Sequence, residues 1–196
     1  MKKTIAILAV LACLLALLGG CKKEEASPYL KGKHHVEIEV QDYGVIKVEL
    51  DADTAPITVT NFVELAKSGF YDGLTFHRII EGFMIQGGDP KGNGTGGSEN
   101  PIKGEFEANG VKNDIAHKRG VISMARRSGD YNSASSQFFI MHEDNSTLDG
   151  GYAAFGHVTS GMEVVDAIAE NTPVLDDNGT VARDNQPVIT TIRVID

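Results

Sequence analysis

Apolar and polar positions alternate from Val36 to Gln41: Val36, Ile38 and Val40 are interleaved with Glu37, Glu39 and Gln41. A period of two is the pattern of a strand with one buried face. Asp42-Tyr43-Gly44 reads as a turn, and Val45-Ile46-Lys47-Val48-Glu49-Leu50 resumes the strand, which predicts an antiparallel hairpin. The period then changes. Val59, Phe62, Val63 and Ala66 fall at i, i+3, i+4 and i+7, one face of a helix. Asp53 or Thr54 is placed to cap it, Pro56 suits its first turn, and Gly69 its end.

Short apolar runs follow at Leu74 to Ile80, Phe83 to Gln86, Val121 to Ala125, Gln137 to Met141, Ala153 to Val158 and Val188 to Ile195, with glycine-rich segments between them. Met162, Val165, Ile168 and Ala169 predict a second, shorter helix. Many short strands, two helices and no βαβ rhythm predict a closed antiparallel sheet capped at its ends. Periodicity alone leaves barrel and sandwich both open.

The start of the chain is different. Lys2 and Lys3 precede an uncharged apolar run from Thr4 to Leu18. That run is shorter than the roughly 20 residues of a membrane span and matches a secretory signal peptide. Its exit, Leu18-Gly19-Gly20-Cys21, resembles a bacterial lipoprotein box, which implies cleavage after residue 20 and lipidation of Cys21. Cys13 would leave with the signal, so the mature chain keeps Cys21 alone and no internal disulfide. Residues 21–33 read as a lipidated cysteine and flexible tether, and residues 34–196 as one domain. The expected location is extracytoplasmic, anchored by lipid to a bacterial membrane. The formal charge of −9 becomes −11 once Lys2 and Lys3 are removed, which argues against nucleic acid as a partner. A closed barrel with so solvated a surface suits a monomer.

The chemistry concentrates in Phe76-His77-Arg78-Ile79-Ile80-Glu81-Gly82-Phe83-Met84-Ile85-Gln86-Gly87-Gly88-Asp89. Here a fixed cation and a neutral amide stand among apolar neighbours, which suits a dry groove reading an uncharged backbone. Two further blocks follow: Gly120 to Ala125 with Ser136-Gln137-Phe138-Phe139-Ile140, and Leu148-Asp149-Gly150-Gly151-Tyr152-Ala153-Ala154-Phe155-Gly156. In this order the blocks resemble the cyclophilin-type peptidyl-prolyl isomerases over roughly Val36 to Ile195.

The resemblance implies an eight-stranded closed antiparallel barrel with two capping helices. It implies catalysis of cis/trans exchange at X–Pro bonds in peptides and unfolded exported chains, with no metal and no cofactor. It puts the catalytic arginine at Arg78 and the groove at Phe83, Met84, Gln86, Ala125, Gln137, Phe139, Leu148 and Tyr152, with the backbone at Arg126 pinning the peptide. Phe76 and Phe155 match core or near-groove positions. There are departures. Thr147 stands where the family often has tryptophan, Tyr152 where it often has histidine, and Arg126 and Arg127 where it has smaller residues, beside the residues preceding the proline. These rim changes keep open a second reading, a tethered proline-peptide binding module or holdase with little turnover.

Other residues carry less. Alternation along a strand would turn His77 away from Arg78. Ser135 and His142 lack a nucleophile-elbow pattern. Asp176-Asp177-Asn178-Gly179 lacks the later glutamate of a calcium loop and reads as a polar hairpin turn.

Overall fold

A computed structural model describes residues 27–196; the expected signal segment and Cys21 lie outside that range. The hairpin forms as expected. Strands β1 (Lys33–Val40) and β2 (Gly44–Asp51) pair antiparallel and bury Val36, Ile38, Val40, Ile46, Val48 and Leu50 on one side. Asp42, at φ 64°, takes the left-handed conformation the tight turn demands. The other face carries solvated ion pairs, Lys47 to Glu37 at 2.9 Å and Arg193 to Glu39 at 2.8 Å. The folded body also reaches back into the expected tether. The Leu30 N–H donates to Thr60 Oγ1 at 2.8 Å, and Leu30 packs on the core.

Helix α1 (Pro56–Lys67) buries the four residues its period picked out: Val59, Phe62, Val63 and Ala66. Its cap differs from expectation. Neither Asp53 nor Thr54 closes the N-terminus; both turn their N–H groups to Asp51. The carboxylate of Glu105 accepts instead from Ile57 N at 3.0 Å and from Thr58 N and Oγ1 at 2.8 and 2.7 Å. A buried carboxylate at the positive end of a helix satisfies several orphan donors at once, and one this distant in sequence leaves no local signature.

Strands β3 (Phe76–Ile80), β4 (Met84–Gly87), β5 (Val121–Met124), β6 (Phe138–Met141), β7 (Ala154–Ser160) and β8 (Ile189–Val194) complete one sheet, in the order β3-β4-β6-β5-β7-β2-β1-β8. Helix α2 (Met162–Asn171) covers part of it with Val164, Val165, Ile168 and Ala169. Phe62 of α1 meets Phe138 edge-on at 5.4 Å and Phe155 at 5.2 Å, which locks helix to sheet through aromatic contacts. Phe76 and Phe155 are fully buried in this core.

The sheet is an open half-barrel, which corrects the closed barrel expected from the sequence. Its end strands β3 and β8 share no ladder; they meet through one isolated bridge, Thr75 to Val188. The reason lies on the edge of β3. The Ile79 N–H donates to Gly179 O at 2.8 Å and Val181 N–H donates to His77 O at 3.0 Å, so the 174–181 turn occupies the positions β8 would need. Pro187, just ahead of β8, also has no N–H to offer.

Strands β4, β5 and β6 are buried on both faces. Ile85, Ile122, Phe138 and Ile140 face the main core, while Met84, Val121, Phe139 and Met141 form a second apolar cluster on the opposite face. Ile80, Phe83, Ala125, Leu148 and Tyr152 pack against that second cluster. It is the floor of the site.

Candidate active site

Strand register assembles the site. Arg78 of β3 pairs with Gln86 of β4, Gln86 with Phe139 of β6, and Phe139 with Ser123 of β5. Four residues from four strands thus stand in one row across the outer face, with the two apolar residues Met84 and Met141 paired in the next row. A cavity of about 150 Å³ opens over this face, lined by Arg78, Phe83, Met84, Gln86, Ala125, Arg126, Phe139, Leu148 and Tyr152. Of the residues expected at the groove, Gln137 alone stands off it. It lines an adjoining cavity of about 580 Å³ bounded by residues 94–101, Arg126 and Arg127.

Gln137 nevertheless reaches Arg78 through a relay. Its Nε2 donates to Gly96 O at 2.7 Å and Gly94 O at 3.1 Å, and its Oε1 accepts from Gln86 Nε2 at 2.9 Å. Gln86 Oε1 then accepts from Arg78 Nη1 at 3.3 Å. Each amide is thereby held in one orientation, with its oxygen toward the cation. On the far side, Arg78 Nε donates to Asn178 O at 2.9 Å and Nη2 to Asn178 Oδ1 at 3.3 Å. Nη1 also approaches the Met84 sulfur at 3.9 Å. The guanidinium is braced from two sides at the wall of a cavity whose floor, Met84 and Phe139, is apolar. Burial pushes its pKa down while Tyr152 and Asp176 pull it back up, and an arginine stays charged throughout the working range.

The polar turn Asp176-Asp177-Asn178-Gly179 forms as expected, with Gly179 N–H on Asp176 O at 3.0 Å. Its docking on Arg78 was not visible in the sequence, because a turn motif says nothing about what it touches. His77 also departs from expectation. Pairing between β3 and β4 slips between Phe76 and Arg78, so strict alternation fails, and His77 and Arg78 line the same flanking cavity.

The opposite bank is apolar and supported from behind. His117 is buried and stacks beneath Phe139 at 6.0 Å, with an interplanar angle of 19°. Its Nδ1 lies 2.9 Å from the Asp149 carboxylate and its Nε2 3.0 Å from Ser123 Oγ. An ionised Asp149 only accepts, so Nδ1 carries the proton and Nε2 accepts from the Ser123 hydroxyl. The order Ser–His–Asp is that of a hydrolase triad, yet Ser123 is 0 % exposed and no substrate carbonyl could reach it. The group is a buttress for Phe139. Burial drives the His117 pKa below its usual value, against the pull of Asp149. Burial would raise the Asp149 carboxyl, but the backbone and ring N–H bonds of His117 hold it below the ordinary range.

At the rim, the Arg126 side chain does not stand free toward a peptide. Its Nε donates to Gly151 O at 2.9 Å, and its guanidinium lies over Tyr152, Tyr131 and Phe106 at 4.6, 5.0 and 5.4 Å. Arg127 pairs with Asp130 at 3.1 Å. Thr147 folds back onto Asn145, its hydroxyl donating to Oδ1 at 2.6 Å.

The family description "Cyclophilin type peptidyl-prolyl cis-trans isomerase/CLD" matches residues 35–194, the half-barrel but for the first two residues of β1. The chain belongs to the cyclophilin-type peptidyl-prolyl isomerases. Among its relatives, peptidyl-prolyl cis-trans isomerase B of Bacillus subtilis (strain 168) is 49 % identical over 124 residues, 63 % of this chain and 82 % of that protein. A peptidyl-prolyl cis-trans isomerase of Helicobacter pylori (strain ATCC 700392 / 26695) is 49 % identical over 129 residues, 65 % of this chain and 76 % of the relative. The crystal structure of a Cryptosporidium parvum cyclophilin obtained in the presence of the dipeptide Ala-Pro superposes with a TM-score of 0.73 at 33 % identity, covering 83 % of this chain and 99 % of that one. This cyclophilin is therefore a peptidyl-prolyl cis-trans isomerase.

Proposed function

We propose that the cyclophilin turns X–Pro bonds over at Arg78, working outside the cytoplasm as a lipid-anchored monomer on exported chains. Rotation of a planar amide faces a barrier of about 18–20 kcal/mol, and uncatalysed X–Pro exchange takes tens to hundreds of seconds. Reaching milliseconds needs about four to five decades, roughly 6–7 kcal/mol. No bond is made or broken, so no nucleophile is needed. As the amide twists, resonance is lost and a lone pair localises on the prolyl nitrogen. A guanidinium aimed at that nitrogen favours the twisted state over either planar one.

A hydrogen bond to a charged group contributes about 1.5–3 kcal/mol, so Arg78 alone does not suffice. The dry cavity supplies the remainder by strengthening that bond and by holding the proline ring while its neighbour turns. In this reading Phe83, Met84, Phe139 and Leu148 grip the ring, and Ala125, Tyr152 and the backbone at Arg126 hold the chain beside it. Gln86 and Gln137 orient the cation. The observation that carries the reading is the guanidinium braced by Gln86 and Asn178 on the wall of a cavity with an apolar floor.

Measuring exchange of a proline tetrapeptide without a coupled protease tests it. Wild type should accelerate exchange and Arg78→Ala should lose most of that acceleration; equal rates for both would end the assignment. Arg126 drawn across the rim supports the second reading, a binding module with little turnover. Tight peptide binding without exchange between cis and trans signals would favour it. The anchor rests on the Leu18-Gly19-Gly20-Cys21 exit alone. Cys21→Ser should release the protein from the membrane fraction, and retention would refute the anchor.

A further inference from the structure

The central cavity has two neighbours. Adjoining both it and the Gln137 cavity, through Gln86 and Gly94, lies one of about 650 Å³, whose lining includes His77, Arg78, Lys91, Asn178, Arg183 and Gln186. It shares Arg78 and Gln86 with the central cavity, so a chain seated at Arg78 lies beside its mouth. Its charge is one-sided. Arg78, Lys91 and Arg183 are in the lining, and no aspartate or glutamate is. In a chain of formal charge −9 this is a local inversion. The nearest acids stand behind the lining and are tied to it. Asp89 accepts the backbone N–H groups of Lys91, Asn93 and Gly94, and Asp176 accepts the N–H and hydroxyl of Thr180.

The wall is built rather than incidental. Arg183 Nη1 donates to Lys91 O at 3.0 Å and lies over Gly92, where an added Cβ would stand 2.1 Å from that nitrogen. Beneath it, Gln186 is buried and donates to Gly92 O at 2.9 Å and Val181 O at 3.1 Å. The floor is His77, only 4 % exposed, and neither ring nitrogen has a hydrogen-bond partner among the described residues. A buried polar group is ordinarily hydrogen-bonded, so this imidazole is free to take a further polar partner in the cavity.

We propose that this cavity is a subsite for a carboxylate carried on the carboxyl side of the substrate proline, with Arg183 as its anchor and Lys91 as a second cation. The inference rests on the assignment of Arg78 to the X–Pro bond. In that reading the backbone at Arg126 holds the residues before the proline; Ala125 and Arg126 line the central and Gln137 cavities but not this one, which assigns it to the residues after the proline. Arginine presents a planar fork that matches a carboxylate, and Arg183 is held in place before any ligand arrives. The carboxylate belongs either to an acidic side chain or to the end of the chain.

The test compares kcat/KM on four short peptides of equal length. Glu, Gln or Lys follows the proline in three with amidated ends, and the fourth carries Gln with a free carboxyl end. Wild type at low salt should favour Glu over Gln by about fivefold, the value of one well-placed exposed ion pair, and the advantage should shrink as salt is added. A gain confined to the free-ended peptide would place the carboxylate at the chain terminus and equally support the subsite. Arg183→Gln should bring the Glu/Gln ratio toward one, Lys91→Gln should lower it less, and Gly92→Ala, which displaces the Arg183 guanidinium, should mimic the first. Equal rates on all four peptides would overturn the subsite while leaving the isomerase reading intact. Failure to accelerate any peptide would instead refute the assignment of Arg78.

Discussion

The two banks of the central cavity are held by different physics. Arg78 is fixed by directional bonds: a chain of amides from Gly96 through Gln137 and Gln86 on one side, and Asn178 on the other. Phe139 is fixed by packing, in a strand buried on both faces and stacked on an imidazole that is itself tied to Asp149 and Ser123. The cation must be aimed, and hydrogen bonds give direction. The apolar wall must stay dry and unyielding, and close packing gives that. The comparison shows why a site without a nucleophile still needs many residues behind it.

Separating the banks by mutation should separate the observables. Phe139→Ala empties part of a close-packed wall and should cost about 3–5 kcal/mol of stability, read from chemical denaturation, along with weaker peptide binding. A loss under 1 kcal/mol would mean the wall is slack. Gln86→Leu leaves the fold nearly untouched but frees one side of the guanidinium. It should lower kcat by about tenfold with little change in KM, the signature of an interaction felt mainly in the transition state. A raised KM at constant kcat would assign Gln86 to substrate binding instead.

The smallest effect is on pH. Burial lowers the pKa of both His77 and His117 below the ordinary imidazole value. Protons therefore bind the unfolded chain in preference as pH falls below about 6.5. The contribution of both imidazoles is complete above that pH and is lost as pH falls through their folded values. Melting temperature should decline from pH 7 toward pH 5, and His117→Gln should flatten the decline. A profile steeper in the variant would contradict the role of burial.

Local rules carried much of this in advance. The hairpin at Asp42-Tyr43-Gly44, the buried face of α1 and the turn at Asp176 follow from periods and turn chemistry within a dozen residues. The residues around the cavity were legible only through the resemblance that three sequence blocks carry; those blocks supply the strands whose register lines the residues up. What escaped was long-range. Glu105 caps a helix 48 residues away, Asn178 reaches Arg78 across 100, and Asp149 meets His117 across 32. A carboxylate or amide in a loop gives no local sign of the partner it will find. The open sheet and the placement of His77 share one cause, the irregular edge of β3, where the register slips and the 174–181 turn docks.

The central claim is that a guanidinium aimed by its two braces, and not merely a positive charge, promotes rotation. The direct measurement is cis/trans exchange of a short X–Pro peptide, followed by NMR exchange spectroscopy on wild type and on Arg78→Lys. The lysine keeps the charge but cannot hold Gln86 and Asn178 while presenting a planar donor. Aimed as proposed, the fork requires exchange to fall by about a hundredfold with peptide affinity largely retained. Exchange within twofold of wild type in the lysine variant would contradict it.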